Sequence, residues 1–188
     1  MDVIEHGIGE LLTEHSLDQR NYIIVRQLSF PHGRADAVVY GVYKGIYVIP
    51  IGIEVKPTVK SMNELYQYLS QVRNIYEHAF THIYLVLGQV SLNIRNLVES
   101  VLEEIGYGLI TVKDSHIVLN VKARPKKTPR SSLDYSEVLS RGILYLATRR
   151  VLVDEGFRNL KWTSTWLGLE KVGYAAWIEE ESKCAVFG

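Results

Sequence analysis

The chain has 188 residues, with 21 Lys+Arg balanced by 21 Asp+Glu, and its 47% hydrophobic and 22% charged residues exclude a disordered or fibrous chain. A single cysteine, Cys184, excludes an intrachain disulfide. The longest stretch free of Asp, Glu, Lys and Arg, His78–Ile94, is interrupted by polar residues and falls short of the ~18 apolar residues of a membrane span.

In chain order, Val3 to Leu17 has helical spacing, and the β-rich run "NYIIVRQLSF" leads to a Pro31-His32-Gly33 break. "RADAVVYGVY" and "IYVIPIGIEV" read as two strands, residues 35–43 and 46–56, around a hairpin turn at Lys44-Gly45, and Pro57 ends the second. Ser61 with Glu64 three residues on is a capping-box pattern, and Leu65, Leu69, Val72, Ile75 and Tyr76 keep helical spacing after it. "HIYLVLG" reads as a buried strand, "SLNIRNLVESVLEEIG" as a helix ending at Gly106, and "YGLITV" and "HIVLNV" as two closing strands. The order α-β-β-β-α-β-α-β-β predicts an α/β fold over residues 1–121, with a mixed central sheet flanked by helices.

The remainder differs in charge. Residues 1–121 hold 9 basic against 13 acidic side chains, net −4, whereas 122–188 hold 12 against 8, net +4. Residues 122–131, within and just after "VKARPKKTPR", read as a basic, Pro-containing linker or a phosphate-contacting arm. Residues 132–188 read as a small, mainly helical appendage. Its helix is capped by Ser131 or Ser132 and stopped by Gly156, and "GYAAWIEEESKCAVFG" follows as a short hairpin. A winged-helix-like module and a helical cap on the core or a dimer surface both fit this pattern. The N-terminus lacks the basic n-region of a secretory signal, so the expectation is a cytoplasmic protein without a membrane segment.

Charges inside the two apolar strands pose the chemical question. Side chains on a strand alternate faces, so Glu54 and Lys56 point the same way and Val55 the other. Pairing around Lys44-Gly45 makes facing residue numbers sum to about 89 or 90, which sets Asp36 opposite residue 53 or 54. Two carboxylates so placed repel unless a cation sits between them, and Mg²⁺ or Mn²⁺ takes oxygen ligands of this kind. The alternative is that Glu54 and Lys56 pair with each other or with charges at the sheet edge.

Asp36 followed by Glu54-Val55-Lys56 at a strand end, in this element order, resembles the PD-(D/E)XK nucleases of the restriction-endonuclease-like fold, including Holliday-junction resolvases and RecB-type nuclease domains. The resemblance covers residues 3–121, and Ala35 stands where the motif's proline would be. It implies an Mg²⁺- or Mn²⁺-dependent endo- or exodeoxyribonuclease acting on DNA in recombination, repair or defence. Asp36, Glu54 and the Val55 backbone carbonyl would hold the metal, and Lys56 would orient the attacking water and offset developing charge. Glu10 on the first helix would complete the metal shell, with Glu5 and Glu14 as rivals. Gln67, on the helix after Lys56, would hydrogen-bond to Lys56 or to the water. RecB-type members carry a Tyr four residues after that Gln; here Gln71 occupies that place, with Tyr66 and Tyr68 displaced.

Arg34, Lys60, Lys126, Lys127 and Arg130 are the expected DNA contacts, with His32 beside Arg34 and a basic helix face of Arg141, Arg149 and Arg150. A homodimer is compatible with this reading. A second reading, from another class, is a catalytically silent DNA-binding or regulatory protein that kept the fold. His78 and His82 have the i, i+4 spacing of a helical zinc pair but lack further ligands nearby.

Overall fold

The computed structural model describes residues 8–44, 47–113, 116–127 and 132–148. Helix α1 spans Ile8–Glu14, and Ser16, at φ 55°, turns the chain into strand β1, Leu17–Phe30. The helix therefore stops short of Leu17, where the apolar spacing would carry it. Leu17 enters the sheet opposite Tyr43 and fills the space over Gly41, whose missing Cβ would lie 2.5 Å from a Leu17 methyl. Strands β2, Gly33–Tyr43, and β3, Tyr47–Val59, form the predicted hairpin, with Lys44 at φ 51° entering the turn. Their antiparallel register runs from Tyr43↔Tyr47 to Ala37↔Ile53, numbers that sum to 90.

Helix α2, Met62–Tyr76, has Ser61 as its N-cap, and the Ser61 hydroxyl accepts from Glu64 N at 3.3 Å. The Glu64 carboxylate accepts from Lys60 N at 2.7 Å, one residue before the N-cap. Strand β4, His82–Val90, lies parallel to β3, and this pairing carries β3 past Pro57, its expected end: it skips the proline, which has no N–H to give, and resumes from Lys56↔Leu87 to Thr58↔Gln89, with Gly88 leaving room for the Pro57 carbonyl. Helix α3, Arg95–Ile105, begins later than its apolar spacing suggests, because Ser91 N bonds to Val59 O and Ile94 N to Ser91 O in a preceding turn. Gly106, at φ 77°, ends it as predicted. Strand β5, Gly108–Lys113, is parallel to β4, and β6, His116–Val121, is antiparallel to β5. Helix α4 covers Leu133–Thr148.

The fold is α/β, with a six-stranded mixed sheet in the order β1-β2-β3-β4-β5-β6. Alternation along the strands sends Val38, Tyr40, Val42, Ile83 and Leu85 to one face and Ala37, Val39, Ile51, Ile53 and Tyr84 to the other. Helices α2, α3 and α4 cover the first face through Leu65, Tyr76, Leu102, Val138 and Leu146, and α1 covers the second through Leu11 and Leu12. Helix α4, which the sequence places after a linker, thus belongs to the same core as the sheet. The helix beyond Thr148, the hairpin over 173–188, Glu5, Arg130, Arg149 and Arg150 lie outside the described residues. Among the described residues no helix is long and apolar enough to cross a membrane.

Candidate active site at the open end of strands β2 and β3

The β2–β3 pairing stops at Ala37↔Ile53, and Asp36, Glu54 and Lys56 stand just beyond it. Asp36 is also skipped in the β1–β2 pairing, which runs from Arg26↔Ala37 to Leu28↔Ala35 around a Gln27 held at φ 51°. The next backbone donor of β3, Val55 N, binds the Asp36 carboxylate at 2.9 Å. An acidic side chain thus satisfies a strand donor where the ladder ends.

Glu54 and Lys56 share the α2 face. Gly52, two residues earlier on that face, lets Tyr76 and Phe80 rest on the strand: a Cβ there would lie 2.5 Å from the Phe80 ring and 2.8 Å from that of Tyr76. This approach brings the Tyr76 hydroxyl to the site. Its single proton goes to Glu54 Oε2 at 2.6 Å, with the Ile53 carbonyl 3.2 Å away, and the oxygen accepts from Asp36 N at 3.1 Å. One buried phenol therefore touches both acidic residues. Burial, reinforced by the Glu54 carboxylate, drives its pKa far above the usual tyrosine value, so it remains a donor.

Lys56 Nζ meets Glu54 Oε1 at 2.7 Å, with side chains 20% and 13% exposed, respectively. The ammonium also sits over the Tyr68 ring, 5.0 Å from its centroid. Tyr68 in turn donates to Glu64 Oε1 at 2.8 Å. The Glu64 carboxyl is held below its ordinary pKa, chiefly by the Lys60 backbone N–H and then by the Tyr68 hydroxyl. The Glu64 bond in turn raises the Tyr68 pKa. A continuous polar chain thus runs from Lys60 N through Glu64, Tyr68, Lys56, Glu54 and Tyr76 to Asp36.

Of the residues expected from sequence, the structure brings Asp36, Glu54, Val55 and Lys56 together. Glu10 is exposed on α1, whose buried leucines pack against the opposite face of the sheet. Glu14, its described rival, pairs with Lys122 at 3.0 Å. Gln67 is exposed on α2, and it is its neighbour Tyr68 that meets Lys56. Tyr76 and Tyr68 join this cluster without having been marked for it by the sequence. A tyrosine at the end of a buried apolar stripe was the available signal, because its hydroxyl requires a partner.

The expected DNA contacts fall into two groups. Arg34, Lys60 and Lys127 are exposed. Lys126 Nζ bonds to the Ile105 carbonyl, lies 3.7 Å from Glu77 and sits over the Tyr107 ring, and its pKa is lowered chiefly by burial. Arg124 reaches the Glu103 and Glu104 carbonyls at 2.7 and 2.6 Å. This part of the basic run closes the C-terminus of α3. His32 Nδ1 lies 3.0 Å from the buried Asp134 of α4, and Arg141 donates to Ser29 O and Glu137.

His82 takes His15 as its ring neighbour, with centroids 4.3 Å apart, while His78 is exposed. His15 Nε2 lies 2.6 Å from the Tyr84 hydroxyl. Burial first, then Lys122, pulls the His15 pKa down to about 4, and burial followed by the charges of His15 and Lys122 does the same to His82.

The donor set at the strand end is two carboxylates and, by position, the Val55 carbonyl, all hard oxygens of the type Mg²⁺ and Mn²⁺ prefer. Among the described residues no group of three His, Cys, Asp or Glu is assembled to hold a metal. Mg²⁺ is usually held by only one or two carboxylates, with water and substrate phosphate completing its shell, so the Asp36–Glu54 pair fits such an ion. A cation taking Glu54 Oε1 would displace Lys56.

No family model and no curated protein matches the sequence. Among solved structures the chain is similar to a protein of unknown function from Silicibacter pomeroyi, at 18% identity and a TM-score of 0.46 over 78% of this chain and 85% of that one.

Proposed function

We propose that this protein is a metal-dependent deoxyribonuclease of the PD-(D/E)XK type. The observation that carries the reading is the convergence of Asp36, Glu54 and Lys56 where β2 and β3 part, within an α-β-β-β-α-β order. When bound to Asp36 and Glu54, Mg²⁺ or Mn²⁺ would supply Lewis-acid polarisation of a phosphodiester oxygen and a more acidic water.

The residues of the chain have separable tasks. Asp36 and Glu54 provide negative charge on one side of the strand end, each fixed by a hydrogen bond from Val55 N or Tyr76. Lys56 provides the positive charge that offsets the negative charge developing on a phosphate under attack, and it holds the attacking water in line. Arg34 and Lys60, exposed on β2 and just after β3, contact flanking phosphates and set the register of the strand without reading bases.

The test is Mn²⁺-dependent cleavage of branched, linear and single-stranded DNAs. Cleavage by the wild type that is lost in Asp36→Asn, Glu54→Gln and Lys56→Ala supports the reading. Unchanged cleavage in those variants, or none on any substrate, overturns it. The closed 2.7 Å Lys56–Glu54 pair also favours a second reading, a silent DNA-binding protein that uses the ion pair structurally. Salt-sensitive DNA binding without cleavage would select that reading.

A further inference from the structure

Lys56 has two neighbours at once, the Glu54 carboxylate at 2.7 Å and the face of Tyr68 at 5.0 Å. The Tyr68 ring is fixed independently of Lys56. Its hydroxyl donates to Glu64, whose other oxygen accepts from Lys60 N, and Glu64 N is bound to the N-cap Ser61. The ring is therefore anchored to the first turn of α2. Donation to an anionic carboxylate also leaves the phenol ring richer in electrons, which strengthens its attraction for an ammonium.

We propose that Tyr68 is a positioning residue for Lys56: its ring face retains the ammonium within the site when Glu54 exchanges Lys56 for a divalent cation. This rests on the metal-dependent reading above. A lysine stem is long and flexible, so an ammonium released from Glu54 with no second partner would swing into solvent. The ring keeps it beside the strand end instead. Lys56 and the cation then compete for Glu54 Oε1, and Tyr68 weights the competition because the ring holds the ammonium more strongly once Glu54 no longer shares it, which lowers the cost of release. Gln67, one residue away, has no such contact and is not needed for this task.

Mn²⁺ titrations of the full chain, read by the electron paramagnetic resonance of free Mn²⁺, test the proposal without depending on cleavage. Lys56→Met removes the competitor and should bind Mn²⁺ at least ~3-fold tighter than wild type. Tyr68→Leu removes the ring but keeps apolar bulk, and should bind Mn²⁺ several-fold more weakly; Tyr68→Met replaces it if the leucine variant does not fold. Tyr68→Phe keeps the ring but loses its bond to Glu64, and should fall between wild type and Tyr68→Leu. The decisive comparison is the double variant. If Tyr68 acts through Lys56, adding Tyr68→Leu to Lys56→Met changes nothing further. A weakening that persists in the Lys56→Met background, or a Tyr68→Leu variant that binds like wild type, overturns the proposal while leaving the metal site intact. Mn²⁺ bound by none of the proteins overturns the metal-dependent reading and this proposal with it.

Discussion

Two charged regions of this molecule look alike as sequence and differ in three dimensions. Asp36, Glu54 and Lys56 are satisfied by side chains and one strand donor, at a place where the ladder has opened. Arg124 and Lys126 are satisfied by the last carbonyls of α3. A helix leaves up to four carbonyls unpaired at its C-terminus, and basic side chains arriving there meet both free acceptors and the negative end of the dipole. A basic run that follows a helix and two short strands can therefore be a cap. Charges placed where strands diverge are held instead by one another, by a phenol and by a strand N–H.

The sharpest way to break the comparison is to neutralise one cation from each region. On the nuclease reading, Lys56→Ala should lower cleavage by ~10²–10³-fold or more, the loss that follows removal of a group aimed at developing charge. Lys126→Ala should leave kcat within about two-fold and lower stability instead, by roughly 1–2 kcal/mol for the lost helix-end and ring contacts. Single-turnover cleavage and urea unfolding of both variants would show it. Equal losses of cleavage would mean that the run from Lys122 acts on DNA after all.

Acid should separate a third cluster from both. His15, just after α1, and His82, at the start of β4, lie in tilted ring contact and have native pKa values of about 4 against an ordinary 6.5. Between those values the unfolded chain takes up protons that the native state refuses, so stability is full above pH 6.5, falls as pH drops towards 4 and is flat below in this respect. The melting temperature should drop between pH 7 and pH 4.5, and His82→Gln should flatten that slope. A wild-type melting temperature constant over this range would contradict the assigned burial.

A smaller effect tests the hydroxyl that joins the two acids. Tyr76→Phe keeps the ring against Phe80 and Gly52 but strips the donor from Glu54 and the acceptor from Asp36 N. The expected loss is about 1–3 kcal/mol, the penalty for leaving half-buried polar groups unsatisfied. Denaturant midpoints at unchanged m-value would measure it.

Much of this architecture was legible because it is local. Val/Ile/Tyr alternation with a Lys44-Gly45 turn was sufficient for the β2–β3 register, and Ser61 with Glu64 marked the start of α2. Glu54-Val55-Lys56 had to share a face by parity alone. What was not legible depends on distant partners. Tyr76 looks like one more member of an apolar stripe until Gly52, 24 positions earlier, lets it approach Glu54. Glu10 has the right residue type on the first helix, yet which face of the sheet that helix covers is set by Leu11 and Leu12. Lys126 reads as a free cation because nothing nearby in sequence shows that the end of α3 lies beneath it.

The finest test concerns Gln27, which lies near the C-terminal end of β1 at φ 51°, where the pairing skips it and Asp36. A left-handed conformation costs an L-residue about 1–2 kcal/mol, and strain of this kind persists only where surrounding structure holds it. Glycine adopts that conformation freely but loses more entropy on folding, by roughly 0.5–1 kcal/mol, so Gln27→Gly should be stabilising by a few tenths to about 1 kcal/mol. Gln27→Val tests the other side. A β-branched residue resists φ > 0 and favours regular pairing, which would draw Asp36 back into the ladder and away from Val55 N. On the nuclease reading, cleavage should therefore survive in the glycine variant and fall in the valine variant, even where the valine protein melts no lower than wild type. If valine is tolerated with full activity, or glycine is destabilising, the kink in β1 does not hold the Asp36 end open, and the opening of the strands must come from the β3 side alone.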